Sequence, residues 1–389
     1  MDITVHPGKL TGTLQAIPSK SQAHRVLICA AFSNEPTTIY CKDTNRDIEA
    51  TAECLRALGA NILRTDLGYQ VNPVKNIPTT TTLNCGESGS TLRFMLPVVA
   101  ALGVDATFTM EGRLPQRPLL PLWEELERMG CELTKPTENT IRCQGQLQSG
   151  AYTIDGSVSS QFISGLLFAI ALIPGNSTLE ITGTIESAPY ITMTQDVLAT
   201  FGRRAPFQTP GTVHIEGDWS NGAFFLAANT LGSTIEVSGL ISASTQGDRA
   251  VADILNGFDT FQTIDAADIP DLVPILAVAA CNKHGAKFQN VRRLRMKESD
   301  RIQSTAALLE NLGGKVHISE NELEVFPAQL HGGTVDAVGD HRIAMAAAIA
   351  ATVATGPVTI LGADCVAKSY PGFWEDFCKL GGNYEQYIR

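Results

Sequence analysis

Residues 339–356 read GDHRIAMAAAIAATVATG, a polar start followed by a long run of small and branched apolar residues. Beyond its first turn this segment is apolar on nearly every side, which predicts a helix that is buried all round. The same design recurs in SKSQAHRVLICAAFS (19–33), SGSTLRFMLPVVAALG (88–103), SSQFISGLLFAIAL (159–172), GDWSNGAFFLAANTLG (217–232) and DLVPILAVAAC (271–281). A buried helix that returns throughout the chain indicates an internally repeated fold.

A second type of helix alternates with the first. Its members are amphipathic and charged, and most end on a glycine, which favours a helix C-terminus. They lie at 47–59, 119–130, 190–202, 247–258, 300–314 and 370–382. Short β-like runs such as TTIYC, ATFTM and VTIL lie between the helices. Each repeat therefore holds two helices and several strands over roughly 50–70 residues, and the chain has about six repeats.

These repeats predict an α/β fold with the buried helices inside and the sheets and amphipathic helices around them. A single core does not grow large enough for all the repeats, so two clusters of three repeats are expected. The fourth repeat is shortened, because only about a dozen residues separate the helix at 247–258 from the next buried helix. That length is too short for the two strands expected there.

The charge of the chain restricts what it can bind. It has 29 Lys and Arg against 40 Asp and Glu, for a net charge of -11, so its average field repels nucleic acid, acidic membranes and anionic metabolites. Any anion site must therefore be local. Cations do recur near the starts of successive helices, at Lys20, Arg25, Arg93, Arg117, Lys297, Arg301 and Arg342, with Lys368 before the last one.

The stretch RMKESDR (295–301) sharpens this point. Its pattern predicts that Lys297 and Arg301, four residues apart, share the first turn of a helix. Like charges at that spacing repel, and the helix dipole disfavours cations there. We therefore expect Lys297 and Arg301 to face a polyanionic ligand rather than a protein carboxylate.

Several common sites are absent from the sequence. GESGSTLR (86–93) lacks the spacing of a P-loop, and no GxGxxG follows a predicted strand. The nine cysteines are scattered without metal-ligand spacing, which is typical of reduced thiols in a cytoplasm. No signal peptide is visible at the start, and the apolar runs are too short to span a bilayer. We expect a cytoplasmic protein.

A resemblance now becomes visible along almost the whole chain. The segments that carry it are PSKSQAHR (18–25), GESGSTLRF (86–94), RLPQRP (113–118), SSQFISGLL (159–167), SAPYITMT (187–194), RMKESDRI (295–302), GDHRIAMA (339–346) and CVAKSYPGFWEDF (365–377). In this order they resemble the motifs of the EPSP synthase family of enolpyruvyl transferases.

The resemblance implies a two-domain inside-out α/β barrel built from six βαβαββ repeats. Residues 1–17 and 217–389 would form one domain and residues 18–216 the other, with the active site in the cleft between them. The implied reaction transfers the enolpyruvyl group of phosphoenolpyruvate to the 5-hydroxyl of shikimate 3-phosphate and releases phosphate through a tetrahedral adduct. The family needs no metal or organic cofactor. Its partners would be these small-molecule substrates, without nucleic acid or membrane, and the chain would be a monomer.

Residue roles also follow from the resemblance. The catalytic residues would be Asp271 as the base at the hydroxyl, Glu298 as the acid at the methylene carbon, and Lys20. Shikimate 3-phosphate would be bound by Lys20, Ser21, Arg25, Ser159, Ser160, Ser187, Tyr190, Asp271 and Lys297. Phosphoenolpyruvate would be bound by Lys20, Gly89, Arg117, Gln161, Arg301, Arg342 and Lys368.

Some residues depart from the family pattern. Glu87 stands where many relatives have Asn, and Arg293 where some have Asn, so neither is assigned as a ligand. Gly89 is retained where glyphosate-insensitive relatives often carry Ala, so we expect glyphosate to compete with phosphoenolpyruvate here.

Two alternatives remain open at the level of sequence. The related transferase acting on UDP-N-acetylglucosamine carries a PGGC-like loop, whereas EGRLPQRP (111–118) has no cysteine. A non-catalytic protein that binds anionic metabolites could keep the basic cleft. Retention of both Asp271 and Glu298 argues against it, because carboxylates add little to an anion receptor.

Overall fold

The computed structural model describes residues 1–387. Its contacts divide the chain into two compact units. The terminal unit joins residues 1–17 to the chain from Gly217 onward, and the middle unit is Pro18–Glu216. Each unit has its own hydrophobic core. Among the helices of residues 1–387, none combines the length and apolar character that spanning a membrane requires.

The elements up to the end of the middle unit are β1 (Asp2–His6), β2 (Thr11–Gln15), α1 (Lys20–Ala31), β3 (Thr37–Tyr40), α2 (Arg46–Ala57), β4 (Asn61–Thr65), β5 (Gly68–Asn72), β6 (Thr80–Asn84), α3 (Gly89–Leu102), β7 (Asp105–Thr109), α4 (Leu122–Arg128), β8 (Cys131–Thr137), β9 (Thr140–Gly145), β10 (Ala151–Asp155), α5 (Ser160–Leu172), β11 (Thr178–Thr182), α6 (Ala188–Thr200) and β12 (Thr212–His214). The remainder are α7 (Trp219–Thr230), β13 (Thr234–Ser238), α8 (Val251–Asn256), β14 (Gln262–Asp265), α9 (Val273–Cys281), β15 (Ala286–Gln289), α10 (Arg301–Asn311), β16 (Lys315–Ile318), β17 (Glu322–Phe326), β18 (Gly333–Asp336), α11 (His341–Ala351), β19 (Val358–Leu361), α12 (Phe373–Lys379) and β20 (Asn383–Tyr387).

Both predicted helix types are confirmed. The odd-numbered helices α1 to α11 correspond to the apolar segments, and every residue of α11 is buried. The even-numbered helices correspond to the amphipathic segments. Most buried helices begin at a polar cap whose side chain accepts a hydrogen bond from the first turn, namely Ser19, Ser88, Ser159, Asp218 and Asp340. These caps satisfy backbone N–H groups that have no partner within the helix.

The sheets follow one plan. In the order β6-β7-β9-β8, a parallel pair is extended by an antiparallel hairpin, and the orders β12-β3-β5-β4, β14-β15-β17-β16 and β18-β19-β1-β20 repeat it. In the last of these sheets, β1 lies between β19 and β20 and pairs antiparallel with both. The sheets therefore reproduce the repeat that the helices indicate.

Two sheets have only the parallel pair, β10-β11 and β13-β2. The pair β13-β2 reflects the shortened fourth repeat, where α8 ends at Asn256 and only β14 precedes α9. The pair β10-β11 shows that the third repeat also lacks its hairpin, which differs from the prediction that the fourth repeat alone is shortened. Residues 201–211 replace it and contain Pro206 and Pro210. Proline cannot donate a hydrogen bond to a strand ladder, so this stretch crosses to β12 as a loop.

The prediction that Lys297 and Arg301 share a helical turn is wrong. A short 3-10 helix ends at Met296, Lys297 is extended, and α10 begins at Arg301. Asp300 is the reason, because its side chain accepts the backbone N–H of Gln303 and caps α10. A capping residue has non-helical backbone angles, so the helix cannot include Lys297.

Candidate active site

Arg301 is the centre of a charged cluster in the terminal unit. Its side chain is 1% exposed, and its guanidinium group donates to three carboxylates. Nε lies 2.8 Å from Asp340 Oδ2, Nη1 lies 2.5 Å from Asp271 Oδ1, and Nη2 lies 2.6 Å from Glu298 Oε2. Burial by itself would lower the pKa of Arg301, but Asp340, Glu298 and Asp271 raise it above its usual value, so the buried guanidinium stays charged and paired. The first residue of α10 thus joins three separate parts of the chain.

Asp271 lies at the turn before α9 and contacts three cations. Besides Arg301, Arg342 Nη2 lies 3.2 Å from Oδ2 and Lys297 Nζ lies 3.5 Å from Oδ1. Burial by itself would raise the pKa of Asp271, but Arg342, Lys297 and Arg301 hold it well below its usual range. Asp271 is therefore a carboxylate in this arrangement and can accept a proton.

Lys297 has an unusual environment for a lysine. Burial lowers its pKa to about 8, and Asp271 opposes this shift while Arg301 and Arg293 add to it. Arg293 is thus close enough to influence Lys297, although the sequence analysis did not assign it a role. Lys297 loses its charge at a mildly alkaline pH.

Glu298 is placed between two cations. Arg301 contacts Oε2, and Lys368 Nζ lies 3.9 Å from Oε1. Lys368 ends a short 3-10 helix before α12 and is itself buried. The terminal unit therefore brings together all six of its predicted site residues, Asp271, Lys297, Glu298, Arg301, Arg342 and Lys368.

The expectation that Lys297 and Arg301 face a ligand rather than a protein carboxylate is wrong. Lys297 pairs with Asp271, and Arg301 pairs with Asp271, Glu298 and Asp340. Buried cations need counter-charges at all times, and these carboxylates supply them without a ligand. The sequence does not indicate the role of Asp340, because it lies 39 residues from Arg301 and no local pattern links the two.

In the middle unit, Lys20 starts α1 and forms an ion pair of 2.9 Å with Asp47 of α2. Arg25, one turn later, is 2% exposed and donates to Thr194 Oγ1, Ser164 Oγ and the carbonyl oxygens of Ser21 and Tyr190. Burial lowers its pKa to about 10, which still leaves a cation at neutral pH. These bonds fix Arg25 against α5 and α6.

The first turn of α3 gathers another predicted group. A Cβ added to Gly89 would lie 2.7 Å from Arg117 Nη1, so that guanidinium rests directly on the glycine. Gln161 of α5 donates to Ser90 Oγ at 2.8 Å and accepts from Arg93 Nη1 at 2.7 Å. Gly89, Arg117 and Gln161 therefore lie around the N-terminal turn of α3, where backbone N–H groups favour anions.

The predicted phosphate-binding serines all lie at helix starts. Ser159 caps α5, Ser160 is its first residue, and Ser187 precedes α6. All three are buried. Ser187 has φ of 56°, a left-handed conformation that a non-glycine residue adopts only at a cost. Tyr190 lies in the first turn of α6.

Glu87, the departure from the family pattern, contacts the loop that carries Arg117. Gly112 in that loop has φ of 55°, and a Cβ there would overlap the Glu87 carboxylate. Glu87 thus packs against the backbone of 111–118, a contact that the sequence could not indicate.

Comparisons with known proteins show the family of this chain. A family model described as EPSP synthase (3-phosphoshikimate 1-carboxyvinyltransferase) matches residues 5–260 and 257–377. Proteins named 3-phosphoshikimate 1-carboxyvinyltransferase from Clostridium kluyveri and Clostridium novyi are 38% and 35% identical, covering 99% of this chain and 98% and 99% of their own lengths. The structure of EPSP synthase from Acinetobacter baumannii has a TM-score of 0.79 at 22% identity, covering 99% of this chain and 100% of that one, and so shares the fold. With nearly full-length relatives above 30% identity and a family model matched along most of its length, the chain belongs to the EPSP synthase family.

Proposed function

We infer that this chain is a 3-phosphoshikimate 1-carboxyvinyltransferase. It transfers the enolpyruvyl group of phosphoenolpyruvate to the 5-hydroxyl of shikimate 3-phosphate, with release of phosphate. The family membership supports the reaction. The observation that carries the residue roles is that one buried guanidinium, Arg301, holds both Asp271 and Glu298.

We propose Asp271 as the base in the first step. The 5-hydroxyl oxygen attacks C2 of phosphoenolpyruvate, and its proton passes to Asp271. A general base has to be unprotonated at the working pH and within reach of the hydroxyl. The lowered pKa of Asp271 satisfies the first condition, and its partial exposure leaves one side open to substrate.

Glu298 is the proposed acid that protonates the C3 methylene and completes the tetrahedral adduct. The adduct then loses phosphate from C2 and a methyl proton from C3, which the Glu298 carboxylate takes back, and the C2–C3 double bond re-forms as the enol ether of the product. Cations beside a carboxylate favour its ionised form, so Glu298 needs a change of surroundings to carry a proton. The anionic groups of the two substrates supply it when they bind Arg342, Lys368 and Lys297.

The proposed substrate contacts of the middle unit divide by helix. Lys20, Ser21, Arg25 and Tyr190 would hold the ring and carboxylate of shikimate 3-phosphate, and Ser159, Ser160 and Ser187 its phosphate. Gly89, Arg117 and Gln161, together with Lys20, would hold phosphoenolpyruvate, because planar guanidinium groups suit carboxylate and phosphate oxygens. We propose that these groups and those of the terminal unit act on the same pair of substrates.

The test is phosphate release by the purified protein. We expect release only when shikimate 3-phosphate and phosphoenolpyruvate are both present, and none when UDP-N-acetylglucosamine replaces shikimate 3-phosphate. Asp271→Asn should lower kcat by about 100-fold or more, as loss of a general base typically does. Asp253→Asn, at an exposed position of α8, removes the same charge and should leave the rate unchanged.

Two results would contradict the proposal. Saturable binding of shikimate 3-phosphate without turnover by the parent protein would mean that the chain is a binding protein of this fold. Full activity of Asp271→Asn would assign the base to another residue.

A further inference from the structure

Four buried side chains form a continuous hydrogen-bonded chain in the middle unit. His24 Nδ1 lies 2.7 Å from Thr51 Oγ1, which lies 2.7 Å from Thr91 Oγ1, which lies 2.8 Å from Ser88 Oγ. His24, Thr51 and Thr91 are fully buried, and Ser88 is 1% exposed. The chain links α1, α2 and the N-terminal cap of α3, yet the proposed reaction does not use His24.

The geometry gives these hydrogen bonds a direction. A hydroxyl group has one proton to donate. Thr91 Oγ1 is oriented as donor both to Ser88 Oγ and to the carbonyl oxygen of Asp47 at 3.4 Å. Its proton is therefore directed away from Thr51, so Thr51 must donate to Thr91. Thr51 then has no proton for His24, and Nδ1 of His24 must be the donor.

The ring of His24 fits this assignment. Burial lowers its pKa to about 3, so it is neutral and carries a single N–H. With that hydrogen on Nδ1, Nε2 is an unprotonated acceptor. Nε2 is buried and has no hydrogen-bond partner within residues 1–387. The other tautomer would reverse the chain and bury an unpaired N–H.

At the other end of this hydrogen-bonded chain, the Ser88 hydroxyl can act as a donor. Its Oγ accepts from Thr91 Oγ1 and from the backbone N–H of Thr91 at 3.3 Å, which uses both lone pairs. Its own hydrogen must then point away from Thr91. Among residues 1–387 the structure provides no acceptor for it, and the next residue is Gly89, on which Arg117 rests.

We propose that His24 is a positioning residue: as the Nδ1–H tautomer it sets the direction of the chain through Thr51 and Thr91, and so directs the Ser88 hydroxyl proton to an oxygen of phosphoenolpyruvate at the first turn of α3. This inference rests on the proposed function, because it assigns a further donor to the same substrate. It predicts an effect on the binding of phosphoenolpyruvate rather than on that of shikimate 3-phosphate.

Two variants of His24 distinguish the effect of the Nδ1–H donor from the effect of the rest of the imidazole ring. His24→Asn places an amide N–H where Nδ1 lies, and His24→Leu places a methyl group there, while both remove the same outer ring atoms. A hydrogen bond to a charged group contributes about 1.5–3 kcal/mol, so we expect His24→Leu to raise KM for phosphoenolpyruvate about tenfold or more. His24→Asn should stay within about threefold of the parent, and KM for shikimate 3-phosphate should be equal in the two variants. Equal KM values for phosphoenolpyruvate in both variants would overturn the inference.

The parent protein has to release phosphate before this comparison is made, so a failure of the proposed function would appear first and separately. In a Ser88→Ala background, which removes the end of the chain, His24→Leu should add no further increase in KM. An additional tenfold increase there would show that His24 acts by another route.

A second measurement determines the tautomer of His24 in the parent protein and uses a variant only to assign the signal. Long-range 1H–15N correlation spectra of the parent protein should show His24 protonated at Nδ1 and unchanged between about pH 5 and pH 8. Loss of one imidazole signal set in His24→Asn assigns the resonance. A hydrogen on Nε2, or titration in that range, would overturn the proposal.

Discussion

Replacing Asp340 by Asn tests how much the buried cluster depends on its charge. Asp340 is fully buried, and its Oδ2 accepts from Arg301 Nε at 2.8 Å and from Ser299 Oγ at 3.0 Å. Oδ1 accepts the backbone N–H of Arg342 at 3.0 Å and caps α11. If the Asn oxygen keeps the cap, its amide N–H group faces Nε–H of Arg301, so two donors oppose each other and one negative charge is lost.

The expected cost follows from these contacts. Removing one partner of a buried ion pair costs about 3–5 kcal/mol. Arg301 keeps Asp271 and Glu298, so we expect the lower end, about 3 kcal/mol. One kcal/mol lowers Tm by about 2–4 °C in a unit of roughly 150–250 residues, which gives a fall of about 6–12 °C. A shift of Arg301 would also misplace both carboxylates, and kcat should fall by about 10- to 100-fold.

Calorimetry of the full chain measures the first effect, and phosphate release with saturating substrates measures the second. Asp336→Asn is the matched control, because Asp336 is exposed, is near Asp340 in the chain, and accepts a backbone hydrogen bond that Asn can also accept. The control should change stability by less than about 0.5 kcal/mol. If Asp340→Asn has the same Tm and kcat as Asp336→Asn, Arg301 does not need its third carboxylate and the reasoning fails.

Three further outcomes are expected. In steady-state kinetics, Gly89→Ala should raise KM for phosphoenolpyruvate and the inhibition constant of glyphosate at least about tenfold. It should lower Tm little, because the added methyl group displaces only the flexible end of Arg117. Unchanged constants would mean that Arg117 moves aside freely. Ser187→Gly and Ser187→Ala should raise KM for shikimate 3-phosphate equally. In urea unfolding the glycine variant should be more stable than the alanine variant by about 1 kcal/mol, because glycine tolerates φ of 56°. Equal stabilities would refute backbone strain at this position. Because the pKa of Lys297 is lowered to about 8, its charge is present below that pH and lost above it, so KM for shikimate 3-phosphate should rise above pH 8 in the parent and stay constant in Lys297→Arg.

The helices of this fold could be predicted because their signals are local. Apolar residues on every side of a segment, a polar cap before it and a glycine after it all lie within about fifteen residues. The missing hairpin of the third repeat could have been predicted from the spacing that marks the shortened fourth repeat, because the gap from Thr200 of α6 to Trp219 of α7 is almost as short as the gap from α8 to α9. The prolines at 206 and 210 indicate the same, because proline cannot donate a hydrogen bond to a strand ladder.

The candidate site likewise has features that could be predicted from the sequence and features that could not. The cations and the two proposed proton carriers could be named from motifs, but their partners could not. Asp271 and Asp340 lie 30 and 39 residues from Arg301 in sequence, and such pairs leave no periodic pattern. The assumption that a cluster of cations needs a ligand failed for this reason, since the counter-charges come from distant parts of the same chain. The hydrogen bonds between His24 and its threonine partners could not be predicted from the sequence for the same reason.

The pairing of β1 with β19 and β20 has a consequence for how the protein is made. Ile3 and Val5 of β1 belong to the core, yet their partners at 358–360 and 384–386 are synthesised only after the whole middle unit. At a synthesis rate of about 5–20 residues per second, roughly 20–80 s pass between the synthesis of β1 and that of its partner strands. The strands of the middle unit have all been synthesised by the end of that interval. During that interval both edges of β1, which carries the core residues Ile3 and Val5, are open to foreign strands. We therefore expect nascent chains stalled before β19 to need chaperones more than completed ones.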